Sequence, residues 1–328
     1  MHCKKKGLHC QLILVTDSVS PSDLLEKGSL EFALQKAIDM GIDPVTAVRM
    51  VTLNPAEHFG IDSWLGGIAP GRQADMMIIP DFQTIQAEYV ISQGTVIARQ
   101  QQKLIGARQD RISQAYQKSV SLPEVGCSPS DFLIQAPSGK DNVQLRVIDQ
   151  ISELVTKEKI MDISVSNGYI QTDLDRDLLK VAAIDRMHNP GQKTLGLIRG
   201  IGLKYGAFAS SATWDTTDII VVGADESDMA LAVNRIHELQ GGIVACSHGR
   251  VKAELSLPYF GLLPDIPTES VVSQLEELRS QLRQMGVPLK EPWLTINVLT
   301  CAAIPFFRIC ESGLIDFQDM TPKALCIV

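Results

Sequence analysis

The sequence predicts a chain of mixed class, α/β at its start and α+β over its larger C-terminal part. Three observations lead there. A continuous apolar run at Leu12–Val15 precedes two segments of helical periodicity. A glycine-rich turn at 66–71 leads into short strand signals around a tight turn. From about residue 140, strand-like runs are interspersed with two amphipathic helices.

Leu12-Ile13-Leu14-Val15 reads as a strand buried on both faces of a parallel sheet, since such strands are apolar throughout rather than alternating. It ends at Thr16-Asp17-Ser18, and Pro21-Ser22-Asp23 opens a short turn. Helical spacing runs from about Leu30 to Met40, with Gly41 as the stop. Asp43-Pro44 is an N-cap followed by proline at the first helical position, and it opens a second helix to about Thr52. One β-α unit of this kind cannot bury its own faces, so the chain reads as beginning in the middle of a larger layer.

Residues 64–105 read as a turn-rich segment of short strands: Ala74–Ile79 is a strand, and Glu88–Ser92 and Thr95–Ala98 flank a Gln93-Gly94 turn. Arg99–Gln117 is polar and helical in composition. Pro123, Pro129 and Pro137 mark 119–138 as a linker, so 106–138 is a helical or linker segment between 1–63 and 139–328. In the last region Val143–Val147, Ile163–Val165, Tyr169–Thr172, Leu178–Arg186, Leu195–Ile198 and Ile219–Val222 predict strands. Asp228–Leu239 predicts a helix stopped by Gly241-Gly242. Ile243–Ser247 and Val251–Leu255 form a hairpin around His248-Gly249, and Val271–Met285 is an amphipathic helix.

Composition excludes some functions. A net charge of −8 argues against nucleic-acid binding, which needs a basic face. No apolar stretch approaches the length of a membrane span. Neither a signal sequence nor a disulfide framework is evident among seven cysteines, so a cytoplasmic chain is expected. Cys246, Cys301 and Cys310 read as small core residues. The Lys4–Lys6 run reads as a solvated start.

Asp17 is the leading candidate for chemistry. A carboxylate just past a buried parallel strand stands where barrel enzymes place metal ligands and proton carriers; the bland alternative is a turn cap. Asp215 and Asp218 precede a buried strand, where carboxylates commonly cap turns. The glycines at 200, 202 and 206 read as close-packing positions, not a phosphate loop.

Two further segments carry a family resemblance. Asn54-Pro55-Ala56 with Gly60, followed by Gly66-Gly67-Ile68-Ala69-Pro70-Gly71 and Ala74-Asp75, resembles the end of an amidohydrolase-superfamily (β/α)8 barrel. There the chain returns to a flanking β-sandwich, and Asp17 stands at the strand-8 aspartate. Gly200-Ile201-Gly202-Leu203, Gly206-Ala207, Ala209-Ser210-Ser211, Asp228-Met229-Ala230, Leu257-Pro258 and Gly313-Leu314-Ile315-Asp316 are similar to the C-terminal α+β domain of adenine deaminases.

The resemblance implies hydrolysis of adenine to hypoxanthine and ammonia, in purine salvage or catabolism, with manganese or iron as the divalent metal. It implies that Asp17 binds metal and moves the proton. Asp215, Thr217, Asp218 and Ser211 become candidates for the substrate pocket. The family's His-Asp-Ser-His-Asn stands here as Trp214-Asp215-Thr216-Thr217-Asp218, without either histidine, and His188 is one position out of register with another family histidine. The family's remaining metal ligands have no counterpart after residue 11. The sequence therefore predicts a truncated or split chain, inactive alone. A second chain carrying barrel strands 1–7 is an expected partner, and homo-oligomerisation is open. The alternatives are a non-catalytic purine-binding or assembly module, or a product without function.

Overall fold

In the computed structural model, which describes residues 12–106 and 113–327, Leu12–Val15 forms no strand. The segment is coil, held against the helices that follow it by two hydrogen bonds. The Leu14 N–H donates to the Met50 carbonyl at 3.0 Å, and Asn54 Nδ2 donates to the Leu12 carbonyl at 2.7 Å. A parallel strand exists only through its ladder to neighbours, and among the described residues no strand pairs with this segment. The β-α unit expected here is therefore present in its helices only. The Lys4–Lys6 run lies outside the described residues.

The chain divides into two compact units, residues 1–111 and 112–328. In the first, helix α1 (Pro21–Glu26) replaces the expected turn, because Ser20 Oγ caps the Asp23 N–H and Pro21 fits the first helical position. Helices α2 (Leu30–Asp39), α3 (Pro44–Val51) and α4 (Leu53–His58) follow, with the Asp43 carboxylate accepting from the Thr46 N–H at 3.0 Å as the α3 cap. Leu34, Ile38, Ala47 and Ile85 form their small core. Strands β1 (Met76–Ile78), β2 (Tyr89–Ser92), β3 (Thr95–Arg99) and β4 (Gln102–Lys103) make one antiparallel sheet in that order. The helix expected over Arg99–Gln117 is not found. Arg99 ends β3, Gln102 and Lys103 pair back onto it, 107–112 lie outside the described residues, and Gln114–Gln117 is one 3-10 turn. Its polar composition offered no apolar stripe to bury.

The second unit is built on a ten-stranded sheet. Its strands are β5 (Ile134–Gln135), β6 (Asn142–Gln150), β7 (Thr156–Ser166), β8 (Tyr169–Ile170), β9 (Leu178–Asp185), β10 (Lys193–Arg199), β11 (Ala207–Ser210), β12 (Asp218–Gly223), β13 (Gly242–Ser247) and β14 (Arg250–Ser256). Their order is β14-β13-β11-β12-β9-β10-β6-β7-β8-β5, antiparallel except where β10 runs beside β6. Helix α5 (Glu226–Leu239) packs on one face and α6 (Thr268–Gln284) on the other. This explains the unbroken apolar runs. Ile219 and Val221 join Met229, Val233 and Ile236 of α5, while Ile220 and Val222 join Leu275, Leu278 and Leu282 of α6. A short helix α7 (Pro292–Asn297) and a three-stranded sheet of β15 (Phe307–Cys310), β16 (Gly313–Asp316) and β17 (Thr321–Lys323) complete the unit.

Two backbone positions show why glycine is needed between β10 and β11. Gly200 and Gly202 have φ of +89° and +81°, and their N–H groups both donate to the Asp177 carboxylate at 2.9 Å. A side chain on Gly202 would meet Pro288 at 2.7 Å and the Gly286 carbonyl at 2.9 Å. The close-packing reading of these glycines holds.

Candidate functional site

Asp17 sits in the coil after Leu12–Val15 with a left-handed φ of 52° and an exposed side chain. Its Oδ1 accepts from the Ser18 N–H at 2.8 Å and from Ser18 Oγ at 3.3 Å. The described residues thus leave Asp17 as a turn residue, not as a carboxylate at the end of a buried strand. Among them, no three His, Cys, Asp or Glu come together in a way that could hold a metal ion. A catalytic metal generally takes three protein ligands, so the described residues do not fit the divalent ion that the family resemblance implies.

The second unit carries a denser polar group, set by the register of β9 and β12. Asp218 pairs directly opposite Asp185, and both carboxylates are buried. Asp185 closes the β9 run by accepting from the backbone N–H groups of Met187 (2.8 Å), His188 (3.1 Å) and Asn189 (2.6 Å), with Thr217 Oγ1 at 3.4 Å. Burial works to raise its pKa, but the three N–H donors and the hydroxyl outweigh it and hold the carboxyl below its ordinary value. Asp218 has fewer donors: Thr216 Oγ1 at 2.9 Å and the Glu311 N–H at 3.2 Å. Burial dominates there, helped by the charges of Glu311 and Asp185, and pushes its pKa up to about 6. Two carboxylates on neighbouring strands thus have pKa values shifted in opposite directions.

Arg186, next to Asp185, is also buried. Nη1 donates to the Ser119 carbonyl at 2.6 Å and Nη2 to the Phe260 carbonyl at 2.9 Å. Burial lowers its pKa, while Asp218 and Asp185 oppose that. Asp185, Arg186 and Glu311 were not singled out from sequence. The available signal was a charged pair ending the apolar run Val181–Ile184, which a buried strand tolerates only when hydrogen-bonded. Glu311 lies far along the chain and gave none.

The other candidates are dispersed around this group. Ser211 is buried. Its hydroxyl donates to the Gly261 carbonyl at 2.7 Å and accepts from the Gly242 N–H at 2.9 Å, fastening β11 to the start of β13 and the turn at 261. Asp215 is exposed with φ 64°, and its carboxylate accepts from the Ala302 N–H at 3.0 Å. Thr217 is half-buried, and its carbonyl accepts from the Arg186 N–H at 3.2 Å. His188 is exposed in the loop wrapped around the Asp185 carboxylate. Cys246 and Cys301 are buried but Cys310 only partly, a correction to its reading as core. Burial pushes the Cys246 thiol up to about 12, which makes it inert.

Comparison with known proteins sets the class first. Residues 3–100 match the amidohydrolase family, and residues 153–321 match the adenine deaminase C-terminal domain. The chain belongs to the adenine deaminase family. It is 35% identical over 305 residues to the adenine deaminase of Moorella thermoacetica, covering 93% of this chain and 51% of that protein. The adenine deaminases of Desulforamulus reducens (35% over 315 residues, 94% of this chain, 52% of theirs) and Methylobacterium nodulans (36% over 309 residues, 94% and 53%) are similar in the same way. The chain thus spans about half the length of the curated relatives it matches. Among the described residues no helix is long and apolar enough to cross a membrane.

Proposed function

We propose that this chain is the C-terminal part of a cytoplasmic adenine deaminase, which converts adenine and water to hypoxanthine and ammonia in purine salvage or catabolism. The observation that carries the reading is the ordered pair of family matches: an amidohydrolase segment followed by the adenine deaminase C-terminal domain. In this reading α2–α4 are the last helices of a (β/α)8 barrel, and β1–β4 belong to its flanking sandwich. Leu12–Val15 becomes strand 8 once the earlier strands are beside it. Asp17 then stands at the mouth of the barrel as metal ligand and proton carrier, and Asp215, Thr217, Asp218 and Ser211 shape the purine pocket or its supports. When bound, a divalent manganese or iron supplies the acidity that makes water a nucleophile near neutral pH.

The remaining metal ligands come from the polypeptide that carries the earlier strands, so residues 1–328 alone are inactive. Purified chain is incubated with adenine and manganese or ferrous iron, and ammonia release is followed. The assay is repeated after joining the chain to the N-terminal half of the Moorella thermoacetica relative. No turnover alone and turnover when joined is the expected pair. Sustained turnover by the chain alone defeats the incompleteness, and a folded, metal-loaded assembly that ignores adenine defeats the substrate.

A further inference from the structure

The carboxylate pair of the second unit lies under a hairpin tip. Strands β15 and β16 pair from Phe307↔Asp316 to Cys310↔Gly313, so Glu311 and Ser312 form the turn. At the base of the hairpin Phe307, Ile309 and Leu314 are buried in the core. A side chain on Gly196 of β10 would touch both Ile309 and Leu314 at 3.4 Å. The tip is different. Cys310, Glu311 and Gly313 are half-buried and Ser312 is exposed. Two hydrogen bonds tie it to the large sheet: the Glu311 N–H donates to Asp218 Oδ2 at 3.2 Å, and Thr194 Oγ1 donates to the Glu311 carbonyl at 2.9 Å. A hairpin with an apolar base and a polar tip can open at the tip without unfolding.

What the tip covers favours such an opening. Asp185 and Asp218 are directly opposed on β9 and β12, where like charges repel, and the tip adds the charge of Glu311. The Arg186 guanidinium carries the opposite charge, but the carbonyls of Ser119 and Phe260 engage it. Cys310 also feels Asp218, and burial raises its thiol above the ordinary 9.0, so it stays neutral. Asp185 has three N–H donors and stays ionised. The proton that relieves the crowding therefore sits on Asp218. Burial first, then the charges of Glu311 and Asp185, outweigh the Thr216 hydroxyl and push the Asp218 pKa up to about 6. The Glu311 N–H favours the ionised form and so opposes opening. Water replaces that bond once the tip lifts, whereas nothing in the closed arrangement replaces the hydration that burial removes.

We propose that the tip Cys310–Gly313 is a pH-operated lid over the Asp185–Asp218 pair, closed while Asp218 holds its proton and lifted when that proton leaves. A proton held more tightly in the closed arrangement stabilises closure fully below the open-state pKa, and that stabilisation is lost as pH rises toward the closed-state pKa. With Asp218 returning to its ordinary 3.8 in the open arrangement, the open fraction grows about tenfold from about pH 5 to about pH 8 and then levels off. Lifting the tip brings water to two carboxylates that the closed chain keeps buried.

Hydrogen exchange of the full chain, read by peptide mass spectrometry and corrected for the intrinsic pH dependence of amide exchange, gives the opening constant of the tip amides within residues 307–316. The expected result is a constant that rises about tenfold from about pH 5 to about pH 8. It should not respond to sub-denaturing urea, since opening the tip exposes little surface. Asp218→Asn should abolish the rise. Glu311→Gln, at a half-buried turn position, should lower the constant at about pH 8 while keeping the rise, and it tests the lid even where the asparagine variant fails to fold. Four outcomes overturn the proposal: a constant flat with pH in the parent chain, a rise that survives Asp218→Asn, a rise shared by β9 and β12 with the same urea dependence, which is global unfolding, or a constant at about pH 8 that Glu311→Gln leaves unchanged.

Discussion

Replacing Asp218 by asparagine (Asp218→Asn) separates the two effects that the buried carboxylate combines. The side chain is 1% exposed and accepts from Thr216 and the Glu311 N–H. Burial, opposed by the Thr216 hydroxyl and assisted by the charges of Glu311 and Asp185, moves its pKa from 3.8 to about 6. A folded-state pKa above the unfolded value means the native chain keeps a proton that the unfolded chain has released. Stability from this group is full below the unfolded pKa, falls as pH rises toward the folded pKa, and stays lost above it. A shift of roughly 2 units corresponds to about 3 kcal/mol, of which about 2 kcal/mol is lost between about pH 4.5 and about pH 7.5. Asp185, whose pKa is lowered, acts with the opposite sign and only at more acid pH, and Arg186 stays charged throughout. The substituted carboxamide cannot ionise, and its unmatched amide hydrogens cost about 1–3 kcal/mol at every pH. Urea unfolding of both proteins, followed by tryptophan fluorescence, should show the variant gaining about 2 kcal/mol on the parent from the acid to the alkaline end of that range. A variant-minus-parent stability that is flat with pH, or that moves against the variant as pH rises, refutes the argument that Asp218 ionises against burial as the pH rises through its folded-state pKa.

Three further outcomes follow from the same geometry. Gly202→Ala places a methyl group against Pro288 and the Gly286 carbonyl at φ +81° and should cost about 2–4 kcal/mol. Gly249→Ala, at φ +70° with open space around it, should cost only about 1 kcal/mol, and calorimetry on the pair tests whether contact or backbone dominates. Arg308 is 1% exposed and donates to the carbonyls of Ile304 (2.8 Å), Leu154 (2.7 Å) and Pro305 (2.9 Å); Arg308→Met removes this donor from all three, leaving Pro305 the Thr156 N–H at 3.3 Å, and should destabilise by about 3 kcal/mol in urea. Asp17→Asn should change the stability of this chain by less than about 0.5 kcal/mol, since its carboxylate is exposed and among the described residues bonds only Ser18, yet should abolish ammonia release in the fused enzyme.

What could be read from the residues follows from how far each element's cause extends along the chain. Helix α3 was legible because its cap, its first-turn proline and its apolar positions all lie within ten residues of one another. Strands β9 and β12 were legible because the two helices that cover them make both faces apolar, which leaves an unbroken run in β12 and one interrupted in β9 only by Lys180, paired with Glu226. β11 drew notice only within the family resemblance and not as a strand, since Ala207, Ala209 and Ser210 gain their strand character from β12 and β13 on either side. The β15–β17 sheet was missed for a related reason: its strands are three or four residues long, and only the Gly313–Asp316 motif drew notice.

Leu12–Val15 shows the same dependence on partners, carried to its limit. The run has the composition of a central parallel strand, and such composition reports what a segment can bury, not that something is there to bury it. Asn54 and Met50 satisfy part of its backbone, Val15 is exposed, and Asp17 has a left-handed φ with its carboxylate bonded to the Ser18 N–H. The polar group of the second unit behaves in the opposite way. Asp185, Asp218 and Arg186 have their partners within the unit, and their environment was hidden from the sequence only because register, unlike periodicity, is a property of two strands at once. Asp218 was found from the loop that precedes it, and its perturbed proton affinity could be understood only once Asp185 stood opposite. The carboxylates of the second unit can therefore be tested in this chain as it stands, whereas the role proposed for Asp17 is tested in the fusion with the N-terminal half of the Moorella thermoacetica relative.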